Sequence, residues 1–143
     1  MKRIYVASSW RNEFQPQVVK MIKNIGLDVY DFRHPEGRSD GFHWDSISPR
    51  WLEWSVEEYR NALSHPIAEE GFRLDYEAMK ACDACVLVLP CGRSAHTEAG
   101  WFAGKGLPAY VLSPVKQEPE LMYKLFDGVF ASIDELQKFL ENS

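Results

Sequence analysis

Four side chains able to do chemistry, Arg93, Ser94, His96 and Glu98, fall within six consecutive positions, directly after Gly92. A glutamate carboxylate can stabilise or bond to an electron-poor carbon. A hydroxyl and a guanidinium can hold an anion. The flanking sequence says how they are presented. Residues 84–89 are a short aliphatic run of strand length, ended by Pro90; Cys91-Gly92-Arg93 reads as a loop. Ser94 reads as a helix N-cap, residues 95–104 as a helix stopped at Gly104 and Gly106, and 108–112 as a second strand. Strand, loop, helix and strand in about thirty residues form the βαβ unit of a parallel sheet, whose ligands bind in loops at strand carboxyl ends. This reading puts Glu98 in the first helical turn, where a simpler role as a partner of the helix dipole is also open. The spacing to Ser94 is four, not the three of a capping box. For His96 the simpler reading is a solvent-facing side chain.

Elsewhere the chain alternates in the same way. Residues 2–7 read as the first strand, followed by the loop Ser8-Ser9-Trp10-Arg11-Asn12 and a helix over 14–25 with apolar residues at helical spacing. Exposed amides and Arg11 could hold an anion there, or Ser9 or Asn12 could simply cap the helix. The loop has no dinucleotide or triphosphate glycine pattern. A second strand is expected over 27–32, a polar loop over 36–45, and helices over 49–63 and 66–81. Phe42, Trp44, Trp51, Trp54 and Tyr59 could stack a base as a lid, or serve core packing or a dimer contact. A short helix over 121–126, a strand over 128–131 and a helix to 140 opened by a Ser132–Glu135 capping box complete the pattern. The sum is an α/β doubly wound parallel sheet with helices on both faces.

Composition bounds the function. The 143 residues suit one domain, 1–143, with an aromatic-rich insert at about 36–65. A net charge of −5 with no basic run argues against a nucleic-acid polymer as partner. No apolar stretch is long enough for a membrane, and a first strand at the very N-terminus makes the cytoplasm the expected location. The three cysteines suggest buried packing residues, not a disulfide framework or metal centre.

The chain resembles the nucleoside 2-deoxyribosyltransferase family, including the related deoxynucleoside monophosphate N-glycosidases. Three blocks carry the resemblance: Ile4 to Arg11, Asp75 with Asp83 eight positions later, and Gly92 to Gly100, which is similar to the family's G-x-S-x-x-x-E-x-G block. It implies a flavodoxin-like fold with strand order 2-1-3-4-5. It further implies Glu98 as the nucleophile at the sugar C1′, Asp75 as the acid at the departing base, and Tyr5 as the residue that orients the nucleophile. Ser8, Ser9, Trp10, Arg11, Gly92, Arg93, Ser94 and His96 would bind substrate, with Ser9, Arg11 and Ser94 at a phosphate or sugar hydroxyl. The implied activity is cleavage of the N-glycosidic bond of a nucleoside or nucleoside 5′-monophosphate, by hydrolysis or transfer. It needs no cofactor and no metal, and has a small-molecule partner. A homodimer or higher homo-oligomer is also an expectation. The competing reading is a non-catalytic nucleotide-binding sensor or interaction module on the same fold.

Overall fold

Five aliphatic runs form one parallel sheet in the computed structural model, which describes residues 1–38 and 40–143. The strands are β1 (Arg3–Ala7), β2 (Asp28–Asp31), β3 (Ala84–Val88), β4 (Ala109–Leu112) and β5 (Val129–Phe130), in the spatial order β2-β1-β3-β4-β5. This is the expected flavodoxin-like arrangement, and the expected strand ends are trimmed by one or two residues. Every residue of β3 is buried, as a parallel strand covered on both faces requires. Among the described residues there are five α-helices: α1 (Gln15–Asn24), α2 (Val56–Ala62), α3 (Pro66–Ala81), α4 (Arg93–Gly104) and α5 (Ile133–Glu141).

The period of two along each strand sorts the core. Ile4, Val6, Val86, Val88 and Leu112 pack with Val18 and Ile22 of α1 and Leu136 and Leu140 of α5. Tyr5 and its register partner Cys85 face the other way, where Phe102 of α4 meets Tyr5.

Two sequence expectations need correction. The helix expected over 49–63 is a 3-10 turn, Trp51–Glu53, followed by α2. Ser55 breaks it: its hydroxyl accepts from the Glu58 amide, and the Glu58 carboxylate accepts from the Ser55 amide. That reciprocal box needs extended backbone at Ser55, so no helix can run through it. The short helix expected over 121–126 is likewise a 3-10 turn, Leu121–Leu125.

The chain divides into two compact units, Met1–Asp31 with Ala81–Ser143, and Phe32–Lys80. The first contains the sheet. The second is built on aromatic packing around Trp44, whose ring meets Phe42 at 4.7 Å, Trp54 at 5.8 Å and Tyr59 at 6.2 Å. Phe42 lies so close to α3 that a Cβ on Gly71 would sit 2.9 Å from it, which explains a glycine inside that helix. The expected insert, about 36–65, falls within this unit, and Asp75 is on its α3. No helix among the described residues is long and apolar enough to cross a membrane.

Asp83 fixes the amino end of the sheet. Its Oδ2 accepts from the amides of Lys2 at 2.7 Å and Arg3 at 3.0 Å, joining β1 to the start of β3. These bonds hold its carboxyl below the ordinary aspartate range. A carboxylate with a depressed folded-state pKa stabilises above its unfolded value of about 3.9, and loses that contribution as pH falls through the folded value. Asp83→Ala should therefore lower Tm at neutral pH, and the gap to wild type should close in acid. A gap constant down to pH about 2 would assign the effect to something other than this carboxylate.

Candidate functional site

The two loops expected to form the site are joined by backbone carbonyls at the carboxyl end of β3. The Val88 carbonyl accepts from the Ser8 hydroxyl at 2.9 Å and from the Asn12 side-chain amide at 3.2 Å. The same amide donates to the Pro90 carbonyl at 3.0 Å. Asn12 Oδ1 accepts from the amides of Phe14 and Gln15, both at 2.8 Å, and so tends the start of α1. Neither Ser9 nor Asn12 occupies the cap position, which falls to Phe14, but Asn12 supplies the side-chain acceptor just ahead of it; the Ser9 carbonyl accepts from the Asn12 amide at 3.2 Å. Ser8 is buried and gives its proton to the protein, so it shapes the loop. Asn12 as a bridge between loops was not legible beforehand; only its asparagine type near a helix start hinted at it.

Glu98 stands on α4, and the placement of that helix corrects the sequence reading. Gly92, in extended conformation, occupies the cap position, and the helix begins at Arg93. Ser94 is thus the second helical residue and not the cap, and no acid lies in the first turn. Glu98 falls one turn further in, where the dipole's field has faded. Tyr5 helps hold its carboxylate: the phenol donates to Glu98 Oε2 at 2.6 Å. An O–H···O⁻ bond of this length is charge-assisted and among the stronger kinds. The Tyr5 ring is fully buried, stacked on Tyr30 at 5.2 Å and tilted against Phe102 at 5.7 Å. Phe102 follows Glu98 by four residues and shares its side of α4. Ala95 and Ala99, both buried, keep that helix low on the sheet.

The carboxylate's charge is felt by its neighbours. Burial, and then the Glu98 charge, push the Cys91 thiol up to about 12. Burial first, and Glu98 next, raise Cys85 as well. Burial raises Cys82 to about 11. All three remain thiols at neutral pH, in keeping with packing roles. Alkylation of the native protein at pH 8 should accordingly be far slower than that of a free thiol with pKa near 8.5. Rapid labelling of Cys91 in the folded chain would contradict this picture.

His96 does not share the Glu98 face, since two helical positions separate side chains by roughly 200°. Its Nδ1 lies 2.8 Å from the Gly92 carbonyl and its Nε2 2.9 Å from the Tyr123 hydroxyl. Facing a carbonyl, Nδ1 must carry the proton in the neutral ring, so Nε2 accepts from Tyr123. Both ring nitrogens are engaged within the protein, which corrects the solvent-facing reading. Tyr123, with Leu89, Ser113, Phe126 and Val129, lines a cleft of about 640 Å³ beside the ends of β3, β4 and β5. Glu98 does not line it.

Three of the expected binding residues, Arg11, Arg93 and Ser94, are exposed and make no side-chain hydrogen bond or ion pair among the described residues. Arg93 and Ser94 open α4, whose first amides have no partner inside the helix. Trp10 is 39% exposed in the same loop as Arg11. The structure thus joins Tyr5 to Glu98, and the first loop to the loop before α4. Asp75 is half-buried on α3 of the second unit.

No protein-family model matches the chain, and no curated protein matches it. Solved structures do share the fold. A 2-deoxyribosyltransferase from Bacillus psychrosaccharolyticus superposes with a TM-score of 0.66 at 18% identity, over 94% of this chain and 90% of its own. A conserved protein from Enterococcus faecalis gives 0.63 at 16% identity, over 99% and 98%. A CMP N-glycosidase of Clostridium botulinum gives 0.53 at 17% identity, over 98% and 99%. The chain has the flavodoxin-like fold of these proteins, two of which are enzymes of deoxyribosyl transfer and N-glycosidic cleavage.

Proposed function

We propose that the protein cleaves the N-glycosidic bond of a nucleoside or nucleoside 5′-monophosphate, with Glu98 as nucleophile. The observation that carries this reading is the Glu98 carboxylate bonded to the buried Tyr5 phenol at 2.6 Å. Two of the similar structures, named for deoxyribosyl transfer and CMP cleavage, support the substrate class.

The chemistry follows from charge. As the bond to the base stretches, positive charge builds on the sugar ring, as in glycoside hydrolysis. The Glu98 carboxylate stabilises that charge and bonds to C1′, while the bonding pair leaves with the base. Asp75, as the acid, delivers a proton or hydrogen bond to the departing base. Water or a second base then attacks C1′ and frees Glu98, giving hydrolysis or transfer. Tyr5 orients the nucleophile by donating its phenol to Glu98 Oε2. Arg11 and Ser94, with the opening amides of α4, take the 5′-phosphate of a monophosphate, assisted by Ser9.

The test is chromatographic detection of free base from a panel of nucleosides and monophosphates. Glu98→Gln should fold and bind but lose turnover by orders of magnitude, because its charge acts chiefly in the transition state. Tyr5→Phe, which keeps the ring stacking, should lower kcat by roughly ten- to a hundredfold, matching the 1.5–3 kcal/mol of a hydrogen bond to a charged group. Arg11→Ala should weaken monophosphates by a similar factor and leave nucleosides nearly untouched. Binding without any base release by the wild type would support a sensor instead.

A further inference from the structure

The start of α4 is built without the usual side-chain cap. A serine, threonine or aspartate at the cap position takes the amide of the second or third helical residue. Gly92 stands there and has no side chain to take it. The cap is held instead from within the helix, by His96. The Gly92 carbonyl accepts from the His96 amide at 3.3 Å and from the protonated Nδ1 of the same residue's ring at 2.8 Å. A carbonyl oxygen has two lone pairs, so this acceptor is filled. Cys91 Sγ lies farther from that ring nitrogen, at 3.8 Å.

Tyr123 decides which ring nitrogen carries the proton. Its hydroxyl lies 2.9 Å from Nε2, and its ring stacks on the imidazole at 5.8 Å with 19° between the planes. With the hydroxyl donating to Nε2, the neutral ring keeps its proton on Nδ1, the nitrogen that faces Gly92. The consequence falls on the next residue. In the planar trans peptide between Gly92 and Arg93, the N–H points opposite the C=O. A carbonyl fixed toward the helix therefore fixes the Arg93 amide away from it. The side chains of Arg93 and Ser94, which make no hydrogen bond or ion pair among the described residues, start from the same segment. We propose that His96 is a positioning residue: through the Gly92 carbonyl it sets the orientation of the Gly92–Ser94 segment, with its Nδ1 proton fixed by the Tyr123 hydroxyl. The helix start is thereby stabilised while its donors stay open to a ligand. This inference rests on the reading that the segment, with Arg11, takes the 5′-phosphate, and it places His96 behind that segment and out of contact with the substrate.

Amide NMR with inorganic phosphate as the probe tests it, with thermal melts as the folding control. In the wild type, the Arg93 and Ser94 amide resonances should shift saturably as phosphate is added. His96→Asn keeps an N–H donor close to the place of Nδ1, whereas His96→Gln carries its donor one bond farther, toward the place of Nε2. Phosphate should bind His96→Asn about as tightly as the wild type. His96→Gln and His96→Ala should bind it about three- to tenfold more weakly, the range set by one net hydrogen bond. Tyr123→Phe, which keeps the ring stacking, should fall between. A merely structural role would lower the Tm of the His96 variants without separating Asn from Gln in affinity. Asn and Gln variants that bind phosphate alike would overturn the inference and leave the phosphate reading standing. Arg93 and Ser94 amides that ignore phosphate in the wild type would overturn both, while base release from nucleosides would still support the cleavage reading.

Discussion

The bond from the Tyr5 phenol to the Glu98 carboxylate joins residues 93 positions apart, and much of the sheet-bearing unit serves to make it. It requires β1 beside β3, a buried aromatic in β1 facing α4, and α4 seated low enough for a second-turn glutamate to reach that aromatic. Alanines at 95 and 99 meet the last condition, and the rings of Tyr30 and Phe102 fix the phenol in place. A phenol so confined cannot follow a wandering carboxylate, so the geometry of the pair is set before any ligand arrives. Preorganisation of this kind supplies transition-state stabilisation without reorganisation during the reaction.

A second set of bonds works at the carboxyl end of β3. The carbonyls of Val88 and Pro90 collect donors from Ser8 and Asn12, so the loops after β1 and β3 move as one piece. On the far side of α4, His96 accepts from Tyr123 and ties the segment after β4 to the first turn of the helix. Glu98 therefore rides on an element restrained on both sides, while Arg11, Arg93 and Ser94 keep their donors for other partners.

The architecture was legible because parallel strands buried on both faces read as continuous aliphatic runs, and Gly26, Gly104 and Gly106 mark the helix ends. Strand order came from resemblance, since periodicity says nothing about which strand is neighbour to which. The errors were local contests. Gly92 took the cap position from Ser94, moving Glu98 out of the first turn; a glycine and a serine two residues apart are both plausible caps, and the backbone decided. Ser55 and Glu58 have the spacing of a capping box, yet the aromatic periodicity around them pointed to a longer helix. The roles of Asn12 and Tyr123 were hidden because each depends on a carbonyl or ring brought close only by tertiary structure.

The central claim is that Glu98 forms a covalent bond to the sugar, and intact-protein mass spectrometry addresses it directly. A 2-fluoro-sugar nucleoside or its monophosphate slows breakdown of a glycosyl intermediate by disfavouring the positive charge that forms again on departure. Incubated with such a compound, the wild type should gain the mass of one fluorinated sugar, or sugar phosphate, with stoichiometric release of base. Peptide mapping should place the adduct on Glu98, and Glu98→Gln should gain nothing. An adduct on another residue, or base release with no adduct in a wild type that turns over the parent nucleoside, would contradict the account.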